Sequence, residues 1–208
     1  QEGAANLPHL LSLIEPYTYT CSLALEVGKD YYTHEVKLTP EEMEDYRKRK
    51  SELVEEYSEA NMGAVLAKLL HCYCLSPSKL RALHGLLRDE QGRDLTKDTI
   101  VFCRFVASAE EVQRRHPKLK VLTYGKGSIG LNLQEYCRII YFDKTFDYAF
   151  REQSEARIHR TGQTRTCEYH DITTNTGIDR LIDKCIATKQ NLLDVFMRRR
   201  NILDALED

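Results

Sequence analysis

Apolar residues follow two different patterns along this chain, and the pattern changes near residue 97. Between residues 39 and 90 they recur every three or four positions, which is the spacing of helices that bury one face. After Lys97 they gather in short runs rich in β-branched residues, which are typical of strands buried on both faces of a parallel sheet. The pattern therefore predicts a strand and helical extension over residues 1–96 and an α/β lobe over residues 97–208.

The extension is expected to contain one strand before its helices. Apolar and polar residues alternate over residues 31–38, which indicates a half-buried strand. Thr39 then supplies a helix N-cap, Pro40 occupies the first helical position and Glu42 completes a capping box, so a charged helix is predicted from here to about Tyr57. Two further helices are predicted over residues 61–75 and 78–89.

In the second part of the chain, strands are predicted to alternate with helices. Strands are expected over residues 99–103, 121–124, 138–143 and 168–172, and helices over residues 108–116, 147–162 and 178–199. This alternation predicts βαβ units and a covered parallel sheet. Ligands of such sheets bind at the carboxyl ends of the strands, so the glycine-bearing segment 125–130 and the helix that begins at Asp147 are expected at the binding edge.

Composition narrows the functions that are open to the chain. Its 208 residues carry 30 Lys and Arg against 32 Asp and Glu, so the net charge of −2 argues against binding nucleic acid by bulk charge. The seven cysteines include no C-x-x-C pair, and His71-Cys72-Tyr-Cys74 lacks a second half-site, so we expect buried thiols and no metal site. We find no signal peptide and no apolar run that approaches a membrane span, and we expect a cytoplasmic protein.

Three polar side chains are expected on one face of the helix over residues 147–162. Gln153, Arg157 and Arg160 stand at positions i, i+4 and i+7, which lie on one side of a helix. Arginine is rarely buried without a partner, so this stripe faces either solvent or an anionic ligand. For an arbitrary arginine pair, a solvated face is the more common explanation. His159 lies off the stripe and is expected to pack or to donate a hydrogen bond.

Residues 125–130 form a second candidate for contact with an anion. Their Gly-Lys-Gly-Ser sequence resembles the end of a phosphate-binding loop, but the spacing G-x-x-x-x-G-K-[ST] is absent, so a P-loop is not expected here. Glycine permits close approach of the backbone, so these amides or Lys126 can still contact a phosphate. On this segment alone, glycines that only turn the chain are an equally good explanation.

Taken together, three segments resemble motifs of one family. Residues 123–133 resemble motif V of the SWI/SNF-like branch of superfamily-two helicases, residues 153–163 resemble its motif VI, and residues 99–105 are similar to its motif IV. The motifs occur in the family's order, and each lies at a strand end. The final helix also resembles the family's brace helix, and the resemblance is weak before residue 60 and close after residue 97.

The resemblance implies the second, C-terminal RecA-like lobe of an ATP-dependent double-stranded-DNA translocase, in a compact form of phage or bacterial type. In this family ATP lies between two lobes, and the second lobe completes the site. By position, Arg160 would be the arginine finger at the γ-phosphate, with Arg157 beside it and Gln153 helping to place phosphate or water. Gly130 and Asn132 would contact the nucleotide. The residues that would contact the DNA backbone are Arg104, Thr123, Tyr124 and Lys126.

Departures from the family pattern limit what this chain can do alone. It lacks a G-x-x-x-x-G-K-[ST] loop and an acidic strand-end motif, so a first lobe of the same protein would hold ATP with Mg²⁺, and this chain by itself is expected to be inactive. The stretch between Cys103 and Gly130 is short for the family, which predicts a smaller sheet. We expect a piece of a longer, monomeric protein in the cytoplasm of a bacterium or phage-infected host, or in the nucleus if it is eukaryotic.

Two other functions remain open from the sequence. A non-catalytic protein-interaction module derived from a helicase lobe would use residues 39–90 as a docking surface. A Rossmann-type enzyme that acts on a nucleotide-sugar or methyl donor would need a glycine-rich turn after its first strand. The strand over residues 99–103 leads instead into Arg-Phe-Val-Ala-Ser, so this last alternative is the weakest.

Overall fold

Five parallel strands form one sheet in the part of the chain that the structure describes, which is residues 7–17, 25–56, 62–127 and 132–188 of a computed structural model. The spatial order is β1-β5-β4-β2-β3, and every neighbouring pair is parallel. The strands are β1 Lys29–Val36, β2 Thr99–Cys103, β3 Lys120–Thr123, β4 Arg138–Tyr141 and β5 Cys167–Thr174. The predicted parallel sheet is therefore confirmed, and β1 from the extension is its edge strand beside β5.

Helices cover the sheet and extend beyond it. Within the described ranges they are α1 Leu7–Ile14, α2 Pro40–Glu56, α3 Met62–Tyr73, α4 Pro77–Leu86, α5 Val106–Arg115, α6 Tyr124–Gly127, α7 Tyr148–Glu155 and α8 Gly177–Ala187. None of them is long and apolar enough to cross a bilayer. The remainder of the predicted final helix, from residue 189 onward, lies outside the described residues.

The core has three parts. Two lie on the opposite faces of the sheet, because alternate residues of a strand point to opposite faces, and the third lies beside the sheet. On one face, α4 and α5 pack against Val101 and Ile140 of the central strands. On the other face, Phe102, Tyr141 and Tyr169 pack with Ile158, which comes from the segment after α7. The third part joins α2, α3 and α8 beside the sheet.

The predicted capping box at the start of α2 is present and also binds α4. The Thr39 amide donates to Glu42 Oε2 at 2.7 Å, and the Glu42 amide donates to Thr39 Oγ1 at 3.3 Å. The Ser78 amide and hydroxyl also donate to the Glu42 carboxylate, at 3.0 and 2.6 Å. Partial burial opposes ionisation of Glu42, but the hydrogen bonds from Ser78 and Thr39 outweigh it and lower the pKa of that carboxyl.

Several predicted boundaries differ from those in the structure. Helix α4 begins at Pro77 rather than at Ser78, because Ser76 is the N-cap and proline suits the first helical position. Helix α5 begins at Val106 rather than at residue 108, and Ser108 is buried inside it. The segment after β3 continues as one helical turn, Tyr124–Gly127, before residues 128–131, which are outside the described ranges.

The expectation of buried thiols holds at four described cysteines and fails at one. Cys74, Cys103, Cys167 and Cys185 are buried, whereas Cys72 is exposed on α3. Cys137 is half-buried, and Cys21 lies outside the described residues.

A buried histidine on β5 ties the sheet to the end of α4. Arg138 Nε donates to His170 Nε2 at 2.9 Å, and His170 Nδ1 lies 2.9 Å from His34 Nε2 on β1. Since Arg138 Nε can only donate, His170 accepts at Nε2 and donates from Nδ1 to His34. Arg138 also donates to the Leu86 carbonyl at the end of α4. Burial and the charge of Arg138 lower the pKa of His170 to about 4, although Glu168 acts in the opposite direction.

We expect His170 to make the fold sensitive to mild acid. Its pKa is about 4 in the folded chain against the ordinary 6.5, so below about pH 6.5 the unfolded chain binds the proton more readily and stability falls until about pH 4. His170→Gln should flatten this part of the stability curve, whereas His9→Gln on the exposed face of α1 should leave it unchanged. Urea unfolding at several pH values measures the difference. Parallel curves for His170→Gln and the unaltered chain would contradict the assignment.

Candidate active site

Three segments that carry predicted site residues leave the sheet at its carboxyl edge. Because all the strands are parallel, the segments that follow β2, β3 and β4 leave from the same edge. These segments contain Arg104, helix α6 and the start of α7, respectively. The prediction that residues 125–130 and the Asp147 helix follow strands at this edge is confirmed for the described part of both.

The helix that carries the predicted arginines is shorter than expected. Helix α7 begins after Asp147, whose Oδ1 accepts from the Ala149 amide at 2.9 Å, but it ends at Glu155 rather than at Gly162. Beyond Glu155 the backbone tightens, since the Ile158 amide donates to the Glu155 carbonyl three residues back, at 3.2 Å. This turn places Ile158 in the core with no exposed surface. The predicted single stripe is therefore wrong, and residues 156–162 form what we call the arginine turn.

The predicted nucleotide residues occupy two neighbouring segments. Arg157 and Arg160 are half-buried on the arginine turn, while Gln153 is exposed on α7. Asn132 is exposed, and its side-chain oxygen accepts from the Gln134 amide at 3.4 Å. Gly130 lies outside the described residues.

Gln163 joins these two segments, and its role was not anticipated from the sequence. Its side chain is only 7% exposed, and Nε2 lies 3.1, 2.8 and 3.2 Å from the carbonyls of Gln134, Tyr136 and Ile158, to which it donates. Its Oε1 accepts from the amides of the next two residues, each at 3.0 Å. The amide thus fixes the arginine turn against the segment that carries Asn132.

Gly162 permits the close approach that this connection requires. Its φ of +97° lies in the left-handed region, and a Cβ there would lie 3.1 Å from the Gln134 side chain. The Gly162-Gln163 pair was the available sequence signal. It belongs to the motif VI resemblance, but the sequence did not reveal which carbonyls the glutamine would bind.

The residues predicted to contact DNA differ in their accessibility. Arg104 is half-buried, with its guanidinium carbon 3.8 Å from the Phe146 ring centroid, and burial lowers its pKa. Thr123 is half-buried, and nothing is described of the Lys126 side chain. Tyr124 is 7% exposed and donates its hydroxyl to the Asp143 carbonyl at 3.0 Å. A side-chain contact from Tyr124 to DNA does not fit this burial, so only a contact through its backbone stays a prediction.

Three buried cations near this edge are each paired with a carboxylate. Lys79 contacts Asp143 at 2.9 Å, and both side chains are nearly inaccessible. The other two pairs are Lys144 with Asp183 and Arg151 with Asp171. Each pair joins two segments, and removing either partner would leave an uncompensated buried charge. The described residues contain no group of three or more His, Cys, Asp or Glu side chains that could hold a metal ion.

A groove of about 1090 Å³ opens on the extension, between α2 and α3. Charged side chains of both signs line it, including Asp45, Lys48 and Arg49, and Phe105 also contributes to its lining. It is the feature that a docking surface on residues 39–90 would use.

Comparison with known proteins agrees with the motif resemblance. No family model matches the chain. Over 145 residues it is 28% identical to "Putative ATP-dependent helicase/translocase YwqA" of Bacillus subtilis (strain 168), an alignment that covers 70% of this chain and 14% of that protein.

Solved structures that share the fold include parts of ATPases. The Sulfolobus solfataricus SWI2/SNF2 ATPase core in complex with dsDNA aligns with a TM-score of 0.63 at 16% identity, over 97% of this chain and 56% of that one. The C-terminal part of the Fun30 ATPase domain aligns with a TM-score of 0.57 at 14% identity, over 88% of this chain and 93% of that one. The chain therefore has the fold of a SNF2-like helicase lobe, as the resemblance implied, and it spans about half of the Sulfolobus core chain and a seventh of YwqA.

We expect Gln163 to be a principal support of this site. Gln163→Leu leaves buried carbonyls and amides without a partner, so it should lower the free energy of unfolding by roughly 2–3 kcal/mol. Gln153→Leu, at the exposed glutamine of α7, should change it by less than about 0.5 kcal/mol. Urea unfolding of the two variants measures the contrast. Equal effects would show that the Gln163 hydrogen bonds do not support the fold.

Proposed function

We propose that this chain is the C-terminal RecA-like lobe of an ATP-dependent double-stranded-DNA translocase or helicase. Its ATP site is shared with an N-terminal lobe of the same protein. The observation that carries the proposal is the Gln163 amide, which holds the arginine turn against the segment that follows Asn132, just before β4 begins and therefore at the amino edge of the sheet of a SNF2-like lobe. Two half-buried guanidiniums on a fixed turn suit a polyanionic ligand.

In this proposal the arginine turn supplies charge to the phosphates. Arg160 acts as the arginine finger, Arg157 lies beside it, and Gln153 helps to place phosphate or the attacking water. Phosphoryl transfer is catalysed mainly by positioning and charge neutralisation, and such an arginine is worth about 10³ to 10⁵ in rate. Gly130 and Asn132 contact the nucleotide. Magnesium neutralises phosphate charge when it is bound, and we assign its ligands and the phosphate-binding loop to the N-terminal lobe.

Contacts with DNA are proposed at the carboxyl edge of the sheet, where β2 and β3 end. Arg104, Thr123 and Lys126, with the backbone of Tyr124, approach the phosphate backbone. The Sulfolobus solfataricus SWI2/SNF2 ATPase core, which has the same fold, was solved in complex with dsDNA, and this supports the proposal. Since the net charge of the chain is −2, affinity must come from such local contacts and should fall steeply with salt.

Half of an ATP site has no turnover of its own. We therefore propose that the isolated chain binds nucleotide and DNA weakly and does not hydrolyse ATP, whereas the protein with both lobes is a DNA-stimulated ATPase. The arginines act only when another lobe brings the nucleotide to them.

The groove between α2 and α3 favours one alternative, a non-catalytic module that docks another protein on the extension. A phosphate-binding loop and an acidic strand end in the natural polypeptide before this lobe would decide for the ATPase. Their absence would favour the docking module.

We expect Arg160→Ala, in the protein with both lobes, to lower DNA-stimulated ATP turnover at least about a hundredfold. Binding of double-stranded DNA should stay within about twofold, because the change removes charge at the phosphates rather than at the DNA. Arg114→Ala is the matched control, since Arg114 is an exposed arginine on α5 that pairs only with its helix neighbour Glu111 among the described contacts. Turnover that survives Arg160→Ala would mean that this arginine is not the finger.

A further inference from the structure

Helix α7 is anchored to the sheet by an arginine that the proposed chemistry does not use. Arg151 is 4% exposed, and its guanidinium carbon lies 3.6 Å from the centroid of the buried Tyr141 ring. Two of its nitrogens donate to the two carboxylate oxygens of Asp171 on β5, at 2.5 and 2.9 Å. Its Nε donates to Glu155 Oε1 at 2.9 Å. A bidentate pair with a stacked ring fixes the orientation of a side chain as well as its position.

Glu155 is the centre of this arrangement and also the last residue of α7. Its Oε2 accepts from the Tyr31 hydroxyl at 2.8 Å and from Lys29 Nζ at 3.4 Å, both on β1. Its backbone carbonyl accepts from the Tyr169 hydroxyl at 3.3 Å. Burial and the neighbouring Glu155 carboxylate raise the pKa of Tyr31, so its hydroxyl stays protonated and donates. We call the five side chains Lys29, Tyr31, Arg151, Glu155 and Asp171 the Glu155 network.

The arginine turn begins directly after this network. Arg157 lies two residues after Glu155. Two residues further on, His159 Nε2 lies 2.9 Å from the Val27 carbonyl, which comes just before β1. Segment 27–31 therefore contacts residues 155 and 159, on either side of Arg157. The start of the turn is held by the Glu155 network and its end is held by Gln163.

We propose that the Glu155 network positions Arg157 and Arg160 for phosphoryl transfer, so that Arg151 and Tyr31 are positioning residues of the shared ATP site. This inference rests on the proposed function. The physical reason is the tolerance of the chemistry: a displacement of about 1 Å by a distant mutation can cost about a hundredfold in rate. A guanidinium on a turn needs supports on both sides to meet that tolerance.

The lobe has other attachments that keep α7 folded when one member of the network changes. The Tyr141 hydroxyl lies 2.8 Å from Ser154 Oγ, Ile158 is in the core, and Gln163 holds the far end of the turn. Tyr31 is 55% exposed, so Tyr31→Phe removes one hydroxyl and little packing. Tyr32→Phe is a matched control, because Tyr32 is the adjacent exposed tyrosine of β1 and stacks on His170 instead.

The experiment compares these variants in the protein with both lobes. Turnover number, KM for ATP, affinity for double-stranded DNA and melting temperature are measured for each. Tyr31→Phe should lower kcat about fivefold and Arg151→Lys about thirtyfold, with KM and DNA affinity within about twofold of the unaltered protein. Tyr32→Phe should leave kcat unchanged. A kcat for Tyr31→Phe equal to that of Tyr32→Phe would overturn the proposal.

A double variant separates positioning from loss of structure. If Arg151 acts through Arg160, Arg151→Lys should change kcat less than about twofold when Arg160→Ala is already present. If it acts by weakening the lobe, the two losses should multiply, and the proposal would be wrong. The proposed function is tested separately by Arg160→Ala alone. An inactive Arg160→Ala beside a fully active Arg151→Lys would overturn only the positioning role.

Discussion

The parallel pairing of β4 between β2 and β5 is the constraint on which the rest of the structure depends. It sends the segments after three strands out of one edge, so that polar residues far apart in the chain meet there. It also fills both faces of the sheet with apolar side chains. Ile158 packs against one of these faces. To place it there, α7 ends at Glu155 and the chain continues as the arginine turn. The position of the two candidate arginines is therefore a consequence of how the core is packed.

Charge inside the lobe serves to hold this edge together. Lys79, Lys144 and Arg151 are buried, and each has a carboxylate partner. Burying an ion is costly unless its partner is in contact, so such pairs favour one arrangement of their segments over others. The buried Gln163 does the same with neutral groups, because its amide matches carbonyls and N–H groups on two segments.

The chain aligns with about half of the Sulfolobus solfataricus SWI2/SNF2 ATPase core, which has the same fold. The proposed division of labour follows from the chemistry of phosphate transfer, where one side of the site binds the nucleotide and the other supplies fixed positive charge. The Glu155 network gives this division a structural basis. It connects the turn to β1, the edge strand that the chain forms before its helical extension.

The sequence by itself determined the local features of this protein. Hydrophobic runs predicted the strands, Thr39 and Glu42 predicted the start of α2, and the order of motifs predicted the type of lobe, because each depends on neighbours in the chain. The end of α7, the burial of Arg151 and Tyr124, and the bonds of Gln163 were decided only by the tertiary structure. Arg151 and Glu155 even have the spacing of an ordinary surface pair. In the structure, however, Arg151 also binds Asp171, Glu155 also binds Tyr31, and Ile158 packs in the core. These contacts join distant parts of the chain, so no local sequence pattern predicts them.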